Sequence, residues 1–189
     1  KVPKKIFFCG IFRKEPGGAD PDARIGYCAS KKLAYIGYKC HLICTSEDMT
    51  VVEFAVTPAN VHDTKMFIPL LSRIIPGKIG GRIQKMYGDN AYSTKKNREK
   101  LRDHGIGDFF HRKSETGKHP KNKRAAKRKS KIRSIIEPLF GISQENLGFG
   151  AVRVRGFSNV EIDTSLVFIG WNLQAVYAFF IGHLEDRRS

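Results

Sequence analysis

The stretch from Leu33 to Pro58, LAYIGYKCHLICTSEDMTVVEFAVTP, holds two runs rich in β-branched and aromatic residues on either side of the polar TSED, Thr45 to Asp48. Such side chains favour extended backbone, and a polar break between two runs marks a turn, so the stretch predicts a β-hairpin. Within it Cys40, Leu42 and Cys44 alternate along one strand and share one face, which reads them as small buried hydrophobes. His41 falls on the opposite face, which argues against a zinc site made with those cysteines.

The elements after the hairpin alternate between helix and strand. DTKMFIPLLSRI, opened by Asp63 as a capping residue, predicts a helix with Met66, Phe67, Leu70 and Leu71 at helical spacing and Pro76-Gly77 as its stop. His62 packs or bonds in the loop before it, so His62 and Asp63 are not read as an acid–base dyad. A short strand in IQKMYGDNAY comes next. Ser93 or Thr94 then opens a helix over TKKNREKLRDH, closed by Gly105, and IGDFFHRK is a candidate strand. IRSIIEPLF carries an apolar stripe (Ile132, Ile135, Ile136, Leu139) suited to packing on a sheet. The apolar run Ser165 to Gly182 is interrupted by Asn172 and Gln174, which hydrocarbon would penalise, so it predicts a buried helix and no membrane span. The first thirty residues, with RKEPGGADPDARIG, read as a loop or linker, leaving residues 31–189 as the domain. The order is that of an α/β chain with antiparallel strands first and helix-separated strands after.

Composition narrows the partner. At 189 residues and 41% hydrophobic, the chain is about one domain with a real core. Its 34 Lys and Arg against 18 acids give a net charge of +16, an excess whose commonest reason is a polyanion. Nucleic acid is the first candidate and an anionic membrane surface the second. Lys118 to Arg133 concentrates the charge, with nine of sixteen residues basic and none acidic. A run of this kind is either a solvated loop or an ordered groove for phosphates. KVPKKIFFCGIF has too short an apolar run and no small-residue cleavage site for a signal peptide, and reads as an internal fragment or trimmed start. Four cysteines suggest no disulfide framework.

Two acids stand out. Asp89 lies in MYGDNAY, where a short strand passes towards a helix, a position that α/β sheets use for ligands and metals. Read locally, GDN is also ordinary turn chemistry. Glu137 sits in an apolar helical pattern four residues after Arg133, and its local reading is a surface ion pair with that arginine. Pro138 should kink the chain there.

The segments DPDARIGY, YIGYKCHLICTSEDMTVVEFAVTPANVHDTKMFIPLL, YGDNAYST, RSIIEPLF and VRVRGFSNV, in this order and spacing, resemble the DDE-type transposases of bacterial insertion sequences, in the group of families four and five. The resemblance runs from about Asp20 to the C-terminal helix. It implies a ribonuclease-H-like mixed sheet with flanking helices, and three acids from different elements around Mg²⁺, with Mn²⁺ as a substitute. Asp89 matches the second acid and Glu137 the last, with Arg133 beside it. Hard oxygen ligands suit Mg²⁺, and a metal pair about 4 Å apart serves phosphodiester cleavage and strand transfer. The implied partner is DNA, both transposon ends and target, gripped by a homo-oligomer in the cytoplasm at the nucleoid. Lys121, Lys123, Arg124, Lys127, Arg128, Lys129, Lys131, Arg153 and Arg155 would neutralise phosphates, which makes binding salt-dependent.

The chain also departs from the family pattern. The first aspartate belongs on the opening strand in a DxT-like context that does not occur here, and is expected upstream of Lys1 or lost. Asp20 and Asp22 belong to a loop pattern that the family carries in addition. Ser130 stands for the family's Tyr and Gln144 for its Lys, which removes a phosphate-positioning cation. Two alternatives therefore stand beside the transposase: a decayed or domesticated relative that binds DNA without cutting it, and a basic nucleic-acid scaffold with no metal site.

Overall fold

The predicted hairpin forms, and its first strand lies at the heart of the sheet. The computed structural model describes residues 5–14 (backbone), 20–28, 32–46, 48–77, 83–88, 92–110, 149 and 151–186. Among them are strands β1 (Lys5–Lys14), β2 (Arg24–Cys28), β3 (Leu33–Thr45), β4 (Val51–Pro58), β5 (Lys85–Gly88) and β6 (Gly107–Phe110). The helices are α1 (Thr64–Ile74), α2 (Lys95–Asp103) and α3 (Phe157–Asp186). β3 pairs antiparallel with β4 along one edge and with β1 along the other. β1 then runs parallel to β5, and β5 parallel to β6. Short β2 lies against the first residues of β3, with Arg24 opposite Gly37.

The first thirty residues correct the expectation of a loop or linker, because they contribute β1 and β2. The IFFCGIF run shows no alternation, and strands of parallel sheets covered on both faces read as continuous apolar runs rather than alternating ones. Its position between β3 and β5 accounts for the pattern.

The alternation in β3 decides which side chains face which layer. Ile43, with Ala55 of β4 and Met86 of β5, packs under α1 and α2 against Phe67, Leu70, Leu71, Ile74 and Leu101. Cys40, Leu42 and Cys44 face the other way, with Val51, Tyr87, Phe149 and Phe168 of α3. All three side chains of that cysteine-bearing face are fully buried, as expected of small hydrophobes. Helices thus cover both faces, and burying each large α1 side chain contributes about 1.5–3 kcal/mol.

The helix ends follow local chemistry. Thr94 Oγ1 accepts from the Asn97 amide at the start of α2, and Gly105 (φ +67°) takes the left-handed position after its end. α1 departs from expectation at its start. Asp63 is itself helical and makes no side-chain cap. His62 does that work, its Nδ1 meeting the Thr64 hydroxyl at 2.8 Å and accepting from the Thr64 amide at 3.3 Å. Asp63 instead binds Lys39 Nζ at 3.0 Å, a pull towards the sheet that turns its carboxylate away from the helix end.

The C-terminal helix is longer than its apolar run and is not buried all round. Val160, Thr164 and Phe168 face the sheet, while Ile162, Leu166, Ile169 and Leu173 are more than half exposed. Asn172, which breaks the apolar run, docks the helix. Its Oδ1 accepts from the Val51 amide at 2.8 Å and its Nδ2 donates to the Val51 carbonyl at 2.9 Å. Trp171 Nε1 adds a hydrogen bond to the Met49 carbonyl at 2.9 Å. Among the described residues no helix is long and apolar enough to cross a membrane.

Candidate functional site

β5 and β6 run parallel to β1 and end side by side opposite Phe8, at their carboxyl ends, where α/β folds build their ligand sites. β5 owes its place to two neighbours of opposite facing: Met86 is buried in the α1 layer and Tyr87 in the α3 layer. Burial also raises the Tyr87 hydroxyl pKa above its ordinary value. The strand ends at Gly88, which pairs with Phe8 of β1 and with Phe110 of β6.

Asp89 is the next residue after Gly88 and lies outside the described residues. So do Arg133, Glu137 and the basic residues Lys121, Lys123, Arg124, Lys127, Arg128, Lys129 and Lys131, which all belong to 111–148. What the structure does place is the two ends of that segment. The chain enters it from Phe110, the register partner of Gly88, and returns at Phe149, which shares a core cluster with Tyr87 and stacks 5.2 Å from Phe168. Both ends are therefore tied to the strand that precedes Asp89.

β1 is the strand beside β5, and none of its ten residues is Asp or Glu. Opposite the end of β5 stand Phe8 and, next in sequence, Cys9. Among the described residues no three His, Cys, Asp or Glu side chains cluster as a metal site.

Arg153 and Arg155 are described and exposed, while Val152 is buried between them and Ala23, Tyr38, Val56 and Val160. The alternation leaves both guanidinium groups on the outside. Directly after them the chain is clamped. Asp20, with only 6% of its surface exposed, accepts from the Tyr38 hydroxyl (2.7 Å), the Gly156 amide (3.1 Å) and the Asp22 amide (3.0 Å). Asp22 accepts from the Phe157 amide at 2.9 Å, so it satisfies an orphan donor at the start of α3. Burial alone would raise the Asp20 pKa, but the hydrogen bonds from Tyr38, Asp22 and Gly156 outweigh it and hold it below the ordinary carboxylate value. The loop acids of the ADPDARIGY pattern thus fasten two remote segments. Sequence reading missed this role for Tyr38 and Gly156, since partners separated by 18 and 136 positions leave no local signal.

His41 is fully buried and its Nε2 lies 3.0 Å from Thr57 Oγ1. Burial pushes its pKa down to about 4, with Asp63 opposing and Lys39 assisting the shift. A neutral, enclosed imidazole of this kind is a packing residue facing away from the cysteines, as its place in the strand predicts.

The comparisons with known proteins agree with this architecture. A transposase for insertion sequence element IS1106 from Neisseria meningitidis serogroup B is 29% identical over 157 residues, which is 82% of this chain and 51% of that protein. The chain therefore spans about half the length of this curated relative. Among solved structures, a piggyBac transposase in a synaptic complex with hairpin DNA superposes with a TM-score of 0.65 at 9% identity, over 98% of this chain and 49% of that one. That likeness is one of fold, the ribonuclease-H-like mixed sheet with its flanking helices. The profile of the transposase DDE domain matches residues 11–173, most of the chain, and on that match the protein belongs to the transposase DDE domain family.

Proposed function

We propose that this chain is the catalytic part of a DNA transposase, cleaving DNA strands at transposon ends and joining them to target DNA. The observation that carries the reading is the family match, with the described ends of the segments that hold both acids lying at β5 as its support. Asp89 follows Gly88 directly, and the segment with Arg133 and Glu137 leaves from Phe110 and returns at Phe149. Asp89 and Glu137 would hold the divalent ion, taken as Mg²⁺ with Mn²⁺ as its substitute, because carboxylate oxygens are the hard donors it prefers. When bound, the ion would neutralise phosphate oxygens and stabilise the leaving oxygen. Arg133 would orient the phosphate beside Glu137. Lys121, Lys123, Arg124, Lys127, Arg128, Lys129, Lys131, Arg153 and Arg155 would track the DNA backbone, and a chain of net charge +16 supplies the attraction.

The composition of β1 supports a second reading. A strand with no acid beside β5 leaves the first carboxylate to be supplied by another segment of the chain, or absent altogether. In the latter case the chain is a relative that grips DNA without cutting it. Two measurements on the chain separate these readings. Mn²⁺ titration followed by electron paramagnetic resonance tests the ion site, and incubation of a labelled duplex with Mg²⁺ tests cleavage. The transposase reading expects Mn²⁺ binding that Asp89→Ala and Glu137→Ala each weaken at least tenfold, and nicking that both abolish. Mn²⁺ binding without nicking supports the DNA-gripping relative, and Mn²⁺ binding unchanged in both variants refutes the assigned ligands.

A further inference from the structure

α3 is apolar on two opposite faces, and only one of them is covered by the sheet. Val160, Thr164 and Phe168 are buried, with Asn172 tied to Val51 further along. About half a turn round the helix, at 3.6 residues per turn, lie Ile162, Leu166, Ile169, Leu173 and Val176. They are 59%, 63%, 56%, 62% and 50% exposed, and Tyr177 beside them is 68% exposed. Helices apolar all round are buried ones, so this face calls for a cover.

Four features specify the cover. The residues are spaced four, three, four and three apart, the seven-residue repeat by which helices interlock with helices. The repeat places Leu166 and Leu173 at one position and β-branched Ile162, Ile169 and Val176 at the other. None of the 34 Lys and Arg of this strongly basic chain falls between Phe157 and Asp186, so two copies can meet here without opposing cations. A Cβ built on Gly170, on the flank of the same face, meets nothing within 4 Å. No contact among the described residues therefore calls for glycine there, although mid-helix glycine costs about 1 kcal/mol relative to alanine. A bare flank lets a second backbone approach closely.

We infer that this face of α3 is a self-association surface, occupied by α3 of a second copy of the chain. The six exposed side chains offer on the order of 600 Å² per copy, close to the roughly 800 Å² per partner of a stable interface once rim atoms are added. The inference stands apart from the catalytic reading, since no metal ligand or DNA contact enters it. In parallel coils, leucine and β-branched residues in this arrangement favour more than two strands, so assemblies above the dimer also support it.

Sedimentation equilibrium of the chain at physiological ionic strength tests it, across a hundredfold micromolar concentration range. The expected mass is that of two or more copies. The double variant Leu166→Glu, Leu173→Glu should sediment as a monomer at the same concentrations, with an unchanged circular dichroism spectrum. A monomeric wild type overturns the inference, as does a variant that keeps the assembled mass. If the face were instead covered by residues 111–148 of the same chain, the wild type would be monomeric and the variant less stable, which also overturns it.

Discussion

Replacing Asp20 with alanine should remove more stability than its place in a surface loop suggests. Its carboxylate accepts from the Tyr38 hydroxyl and from the Gly156 and Asp22 amides. Tyr38 is fully buried, so its hydroxyl has no access to solvent once the acceptor is gone. An orphaned buried donor costs about 1–3 kcal/mol, and a hydrogen bond to a charged group contributes about 1.5–3 kcal/mol. The Asp22 amide can turn to water, so the expected loss is about 3–5 kcal/mol, dominated by Tyr38 and Gly156. Asp20→Asn keeps one acceptor oxygen for Tyr38 and should lose about half as much. Urea unfolding followed by fluorescence of the single tryptophan measures both, because Trp171 sits on α3 against Met49. The pH dependence has a definite sign. The folded pKa of Asp20 lies below the ordinary 3.8, so its contribution is complete above that value and lost as pH falls through the folded one. The gap between wild type and Asp20→Asn should therefore be constant from neutrality to about pH 5 and close under more acidic conditions. An Asp20→Ala loss under about 0.5 kcal/mol, or a gap that widens in acid, would refute the reasoning.

Two further outcomes follow from the packing of β3 and α3. His41 is held neutral with a pKa of about 4 against an ordinary 6.5, so the unfolded chain takes up its proton first. Stability should fall as pH drops from 6.5 towards 4, by up to about 3 kcal/mol, and His41→Gln should flatten that part of the urea-measured profile. Asn172→Ala breaks both hydrogen bonds to Val51 and should cost about 1–3 kcal/mol in the same assay. A loss within measurement error would mean that Trp171 and Phe168 dock the helix without it.

The local elements could be read from the chain because their causes are local. The hairpin follows from two β-rich runs and a polar break. α2 follows from Thr94 and Gly105, whose side-chain oxygen and left-handed backbone act within a turn of themselves. The placement of Cys40, Leu42 and Cys44 on one face and His41 on the other follows from the two-residue period of a strand. The family, too, was legible, in motifs spread along most of the length.

What the chain alone left open depends on partners far away in sequence. β1 looked like part of a linker because its apolar run acquires meaning only between β3 and β5. Asp63 carried every local mark of a capping residue, yet Lys39, on a strand 24 positions earlier, draws its carboxylate elsewhere. Asp20 gained its task from Tyr38 and Gly156, and Asn172 its task from Val51. Exposure is settled the same way: the composition of α3 predicts burial on every side, while the sheet has only one face to offer it. Periodicity and capping act through neighbours along the backbone, whereas burial, ion pairing and the meeting of catalytic side chains require the three-dimensional arrangement that brings distant segments into contact.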